Sequence, residues 1–209
     1  MLDPLFKNLL QGITIIEDDF GAVNKIISKQ LGTYAITNGK TVCFLEPPAA
    51  SSIEGGDGEL NGIEMPETEA LENTGSSAQK NTIIYRTEER YLPLEELKFD
   101  MVVFDSFSSH IFGMSEKEVV DLIEELVRLS RRGKTFVLTT EAPMLTERVN
   151  AYIRATADTV IMVRVEIGSG KINRTLYIPK MLGIRPMDRL VKITLEEGGA
   201  DIDTREFVG

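Results

Sequence analysis

The chain has 209 residues, enough for one domain with a real core, and 42% of them are hydrophobic, which excludes a globally disordered protein. A formal net charge of -10 argues against a surface built for nucleic-acid phosphates or anionic lipid. The single cysteine, Cys43, rules out an intrachain disulfide framework or a cysteine-rich zinc site, and a reducing cytoplasm is the expected setting.

The N-terminal stretch has neither a basic region nor a long apolar run, so a signal peptide is not expected, and no run of about 18 apolar residues suggests a membrane span. Leu2 to Leu10 carries helical spacing that stops at Gly12. Gly12–Glu17 reads as a strand, and Phe20–Asn38 as a helix with Val23, Ile26, Ile27, Leu31 and Tyr34 on one side. Thr41–Glu46 reads as a second, buried strand in which Cys43 is a small hydrophobe. Pro47–Lys80 is rich in Gly, Ser, Glu and Pro. With few large apolar residues to offset its ordering entropy, it is expected to be a flexible acidic insertion within a single domain spanning 1–209.

Strand character resumes at Asn81–Arg86, and Tyr91–Phe99 suggests a turn with a short helix. Asp100–Ser106 is an apolar strand delivering Asp105 at its tip. Ser115 and Glu118 form an S-x-x-E capping box that opens a helix whose stripe is Val119, Leu122, Ile123, Leu126, Val127 and Leu129. Lys134–Glu141 is a strand and Met144–Ala157 a helix. Strands at Asp158–Glu166, Arg174–Met181 and Leu190–Glu196 follow, the first two joined by a hairpin. Strand–helix alternation predicts an α/β fold with a mostly parallel sheet, helices on both faces and an antiparallel C-terminal extension.

In such a sheet ligands bind beyond the carboxyl ends of the strands, here Glu17–Asp19, Glu46, Asp105–Ser106 and Thr139–Glu141. An apolar strand ending in Asp105 has the form of a magnesium-holding Walker B strand, though any buried strand can end in a carboxylate. Glu17, Asp18 and Asp19 have two readings: a cation site shared with Asp105, or complements to a helix N-terminus, the commoner role. His110 reads as a packing histidine, since zinc partners are absent. Ser106 and Ser108 lack a recognisable base. The basic run Arg128–Lys134 suits a helix C-terminus better than nucleic acid.

The series "LDPLF", "GITIIEDDFGAVNKI", "TVCFLE", "DMVVFDSFS", "GKTFVLTTE", "ADTVIMVRVE", "RTLYIPKMLG" and "KITLEEGGADID" resembles the KaiC-like branch of the RecA superfamily of P-loop ATPases. The resemblance covers nearly the whole chain apart from Pro47–Lys80. It implies a RecA-like fold with a Walker A loop at Asp19–Ile26, where the consensus is G-x-x-x-x-G-K-[ST]. Lys25 matches the phosphate-reaching lysine. Asp19 and Asn24 replace the two glycines, Ile26 replaces the metal-ligating hydroxyl, and Gly21 lies off the consensus positions. Side chains at glycine positions obstruct the converging backbone N–H groups, and isoleucine offers no oxygen to a metal. Adjacent carboxylates would also repel a polyphosphate.

The family's trans-acting K-x-R pair is reduced to Lys180 with Leu182 in the arginine position, and an arginine there is worth roughly a thousandfold or more in rate. Glu46 stands at the water-activating position, and Asp105 is retained as the metal-binding candidate. The resulting expectation is a degenerate nucleotide site of Lys25, Asp105, Gly21 and Asn24 in a non-catalytic regulatory or assembly subunit. It would need no cofactor. Its partner would be a protein, either an active KaiC/RecA-like ATPase, a signalling protein or further copies of itself. Two rival expectations stand beside it. One is a divergent ATPase binding ATP and Mg²⁺ through Lys25, Asp105 and Glu46. The other is a DNA-binding recombinase paralog, which the acidic balance disfavours.

Overall fold

The computed structural model describes residues 3–46, 82–86, 94–96, 98–168, 170–183, 185–186, 189–196 and 199–208. The insertion expected over Pro47–Lys80 lies outside them.

A short helix α1 (Asp3–Phe6) and a 3₁₀ turn lead into β1 (Ile13–Asp18), buried at every position. Helix α2 (Ala22–Thr37) returns to β2 (Val42–Glu46), and β3 (Thr82–Arg86) follows. Strand β4 (Met101–Phe104) leads to a one-turn helix α3 (Phe107–His110). Helix α4 (Glu116–Ser130) opens with the predicted capping box, Ser115 and Glu118 bonding each other's backbone N–H. Strand β5 (Thr135–Glu141), helix α5 (Glu147–Thr156) and strands β6 (Thr159–Gly168), β7 (Lys171–Lys180), β8 (Leu190–Glu196) and β9 (Gly199–Val208) complete the chain.

Among the described residues these strands form one sheet in the order β3-β2-β4-β5-β1-β6-β7-β8-β9. Strands β1 to β6 pair in parallel and β6 to β9 antiparallel, the α/β architecture the sequence predicts. Alternate residues of β1 serve different cores. Ile13 and Ile15 face the layer of α4 and α5, while Ile16 faces the layer of α1 and α2. Two apolar layers around one sheet exclude water from both faces, so the strand ends are where polar side chains gather.

Candidate functional site

Strand β1 ends in three carboxylates, and the structure gives each a different partner. Asp18 is fully buried on the α2 side. Its Oδ2 accepts from the Val23 N–H at 2.8 Å and its Oδ1 from the Phe20 N–H at 3.3 Å. Glu17 points to the opposite face, where its Oε2 accepts from Arg154 Nε at 2.8 Å and Nη2 at 2.5 Å. Arg164 Nη1 reaches Asp19 Oδ1 at 2.7 Å and its Nη2 lies 3.6 Å from Glu17 Oε1. Of the two sequence readings for this cluster, helix complementation describes Asp18, and paired arginines neutralise the other two. Among the described residues, no three His, Cys, Asp or Glu side chains are gathered to hold a metal ion.

Only Asp19, Phe20 and Gly21 separate β1 from α2. Within Asp19–Ile26 the helix has therefore begun by Ala22, and Lys25 stands at the close of its first turn. A helix N-terminus attracts anions because its first N–H groups have no intrahelical acceptor. Here Asp18 already accepts one of them. Gly21 is left-handed at φ 73°, and a Cβ there would lie 3.0 Å from Glu141 Oε1, so its glycine serves a turn under a carboxylate.

Lys25 Nζ lies 2.8 Å from Asp105 Oδ2, with the lysine side chain 48% exposed and the aspartate 11%. The hydrogen bond that Lys25 donates to Asp105 holds the lysine pKa above its ordinary value. Burial opposes this, and the charges of Asp105, Glu46 and Glu141 reinforce it. The structure thus brings Lys25, Asp105 and Glu46 together at the carboxyl ends of β1, β2 and β4, with Asn24 and Gly21 beside them. Asn24 is buried, its Nδ2 donating to Thr140 O at 3.3 Å and lying 3.5 Å from Glu141 Oε1.

Glu141 organises the rest of the site, a role the sequence did not reveal. Its Oε2 accepts from Ser106 Oγ at 2.9 Å and Ser108 Oγ at 2.6 Å, and its own N–H donates to Ser108 Oγ at 2.8 Å. The expectation that Ser106 and Ser108 have no base nearby is corrected here, since β5 ends next to the turn after β4. Ser106 itself is left-handed at φ 57°, a conformation that costs a non-glycine residue energy and is held by Thr139 Oγ1, which accepts the Ser106 N–H at 2.6 Å. His110 packs edge-on against Phe104 and places Nε2 3.3 Å from Leu45 O. Burial pushes its pKa below the ordinary value, against the Leu45 bond and the charge of Asp105.

Lys180 lies elsewhere. It pairs with Val160 at the start of β6, at the opposite strand ends from Lys25, and its Nζ donates to Ala155 O at 2.8 Å, capping the end of α5.

A parallel sheet flanked by helices, extended by an antiparallel meander and carrying a strand–turn–helix lysine opposite a strand-tip aspartate, has the RecA-like P-loop fold. The flagellar accessory protein FlaH from Methanocaldococcus jannaschii is similar in structure, with a TM-score of 0.68 at 17% sequence identity over 92% of this chain and 89% of that one. No family model and no curated protein sequence matches the chain. No helix among the described residues is long and apolar enough to cross a membrane.

Proposed function

We propose that the chain is a pseudo-ATPase: a non-catalytic RecA/KaiC-like subunit that regulates or assembles with other proteins. The observation that carries this reading is Asp18. Its buried carboxylate accepts the Val23 N–H at the start of α2, the place where a phosphate would need free donors. A phosphate entering there would meet a fixed negative charge at short range, in surroundings too dry to screen it. Lys25 does not offset this, because its ammonium is engaged by Asp105. Ile26 and Leu182 add the losses read from the sequence. The apolar side chains of Phe20, Phe112 and Met144 stand exposed on turns that follow β1, β4 and β5, which supports a role through protein contact. The similar structure is itself that of a flagellar accessory protein, in keeping with a subunit role.

The rival reading is a divergent ATP binder using Lys25, Asp105 and Glu46, favoured by the gathering of these three around one half-exposed ammonium. Calorimetric titration with ATP and Mg²⁺ separates the two. The folded protein is expected to give no saturable heat at millimolar nucleotide. Saturable binding that disappears in both Lys25→Ala and Asp105→Ala would overturn the pseudo-ATPase reading in favour of its rival.

A further inference from the structure

A cavity of about 600 Å³ opens at the amino-terminal ends of β1, β5 and β6, the end of the sheet away from Lys25. Its walls come from the start of β1, the end of α4, the turn before β5 and the turn before β6. This volume falls within the range that encloses small organic ligands. The basic run Arg128–Lys134 divides around it. Arg128 and Arg132 turn to Glu95, whereas Arg131 and Lys134 line the cavity. Arg131 has no ion-pair partner among the described residues, and Ser130 adds a hydroxyl beside it.

Opposing negative groups are already engaged: Asp100, whose charge acts on Lys134, accepts the Thr41 N–H at 2.8 Å and the Thr41 hydroxyl at 2.9 Å through Oδ2. The one carboxylate in the wall among the described residues, Asp158, accepts the Ile13 N–H through Oδ2 at 2.8 Å, an approach that Gly12 permits by lacking a Cβ. The carbonyls at the end of α4 accept N–H groups of Arg131, Arg132, Gly133 and Lys134. Lys180 caps the end of α5 in the same way. Val127, Ile13 and Leu182 supply an apolar wall. Gly133, at φ 98°, has nothing within 4 Å of where a Cβ would stand, leaving that side of the wall open.

We propose that this cavity binds a small organic anion, with Arg131, Lys134 and Ser130 holding the charged group and the apolar wall holding its hydrocarbon body. Burial lowers the Lys134 pKa, and a bound anion would oppose that shift. The site stands apart from Lys25 and Asp105, so it is independent of whether nucleotide binds there.

The test is a fluorescence titration of the full chain with 8-anilinonaphthalene-1-sulfonate, an anion with an apolar body. The expected result is saturable enhancement that Arg131→Gln/Lys134→Gln weakens at least about tenfold, as removal of charged hydrogen-bond donors should. Benzenesulfonate is expected to displace the probe, and neutral benzyl alcohol is not. Thermal melts establish that each variant is folded. The absence of saturable enhancement, full retention of affinity in the double variant or equal displacement by benzyl alcohol would each overturn the proposal. So would loss of the signal in Phe20→Ser or Ile167→Ser, which would place the probe on exposed apolar surface instead.

Discussion

Asp18 is a carboxylate without water, so its two N–H partners and the positive end of α2 must compensate its desolvation. Replacing it with alanine leaves the Val23 N–H buried and unpaired, and losing a helix-capping acceptor costs about 0.5–2 kcal/mol. Asp18→Ala is therefore expected to lower the urea midpoint with an unchanged slope, and Asp18→Asn, which keeps an acceptor oxygen, to lower it less. A midpoint that rises would mean that burying the charge costs more than the two bonds return. His110 carries a pH dependence of opposite origin. Its folded pKa lies below the ordinary histidine value because burial disfavours the imidazolium, so below about pH 6.5 the unfolded chain binds the proton more readily. The stability this histidine contributes is thus complete above that pH and is lost as the pH falls toward the folded value. Melts of the parent protein and His110→Gln between pH 7 and pH 5 should diverge, the variant losing less stability on acidification. Parallel curves would show that His110 does not titrate in that window.

Elements whose causes are local are the ones that can be read from the chain. The apolar runs of β1 and β4 bury all their residues, and α4 buries Val119, Ile123, Leu126 and Leu129 from the predicted stripe, with Leu122 and Val127 packed against that core. The box at Ser115 is a four-residue pattern and needs nothing distant to form. Helix α3 escaped notice because "FSSH" is a single turn with no period to detect, fixed by the left-handed Ser106 before it. Strand β9 is not among the strands read from spacing, and its register with β8 slips between Val191 and Lys192. At the candidate site, Asp105 and Glu46 could be placed from strand ends, and Lys25 from the resemblance to a Walker A loop. Arg154 and Arg164 could not. They meet Glu17 and Asp19 across 137 and 145 residues of sequence, and a contact of that separation leaves no mark on local spacing. The same holds for Glu141, whose partners Ser106 and Ser108 belong to the neighbouring strand's turn.

At the scale of the molecule, α2 ties the parallel half of the sheet to its antiparallel extension. Gln30 bridges the backbone of Ala200 in β9, donating from Nε2 to its carbonyl at 3.3 Å and accepting its N–H through Oε1 at 3.1 Å. Gly199 makes the approach feasible, since at φ 128° any Cβ would run into that amide. Two net hydrogen bonds are worth about 1–3 kcal/mol, which is local stability that β9 lacks without them. In Gln30→Ala, hydrogen exchange at β9 amides should accelerate by roughly fivefold to a hundredfold. Amides of β1 and β5 are expected to keep their protection, because Ile16 and Val137 pack against Val23, Ile27, Leu31, Val103 and Ile161 in the α2 core and not against Ala200 alone. Uniform acceleration over the whole sheet would instead mean that the extension and the parallel half unfold as one unit, and that the link through Gln30 carries global stability.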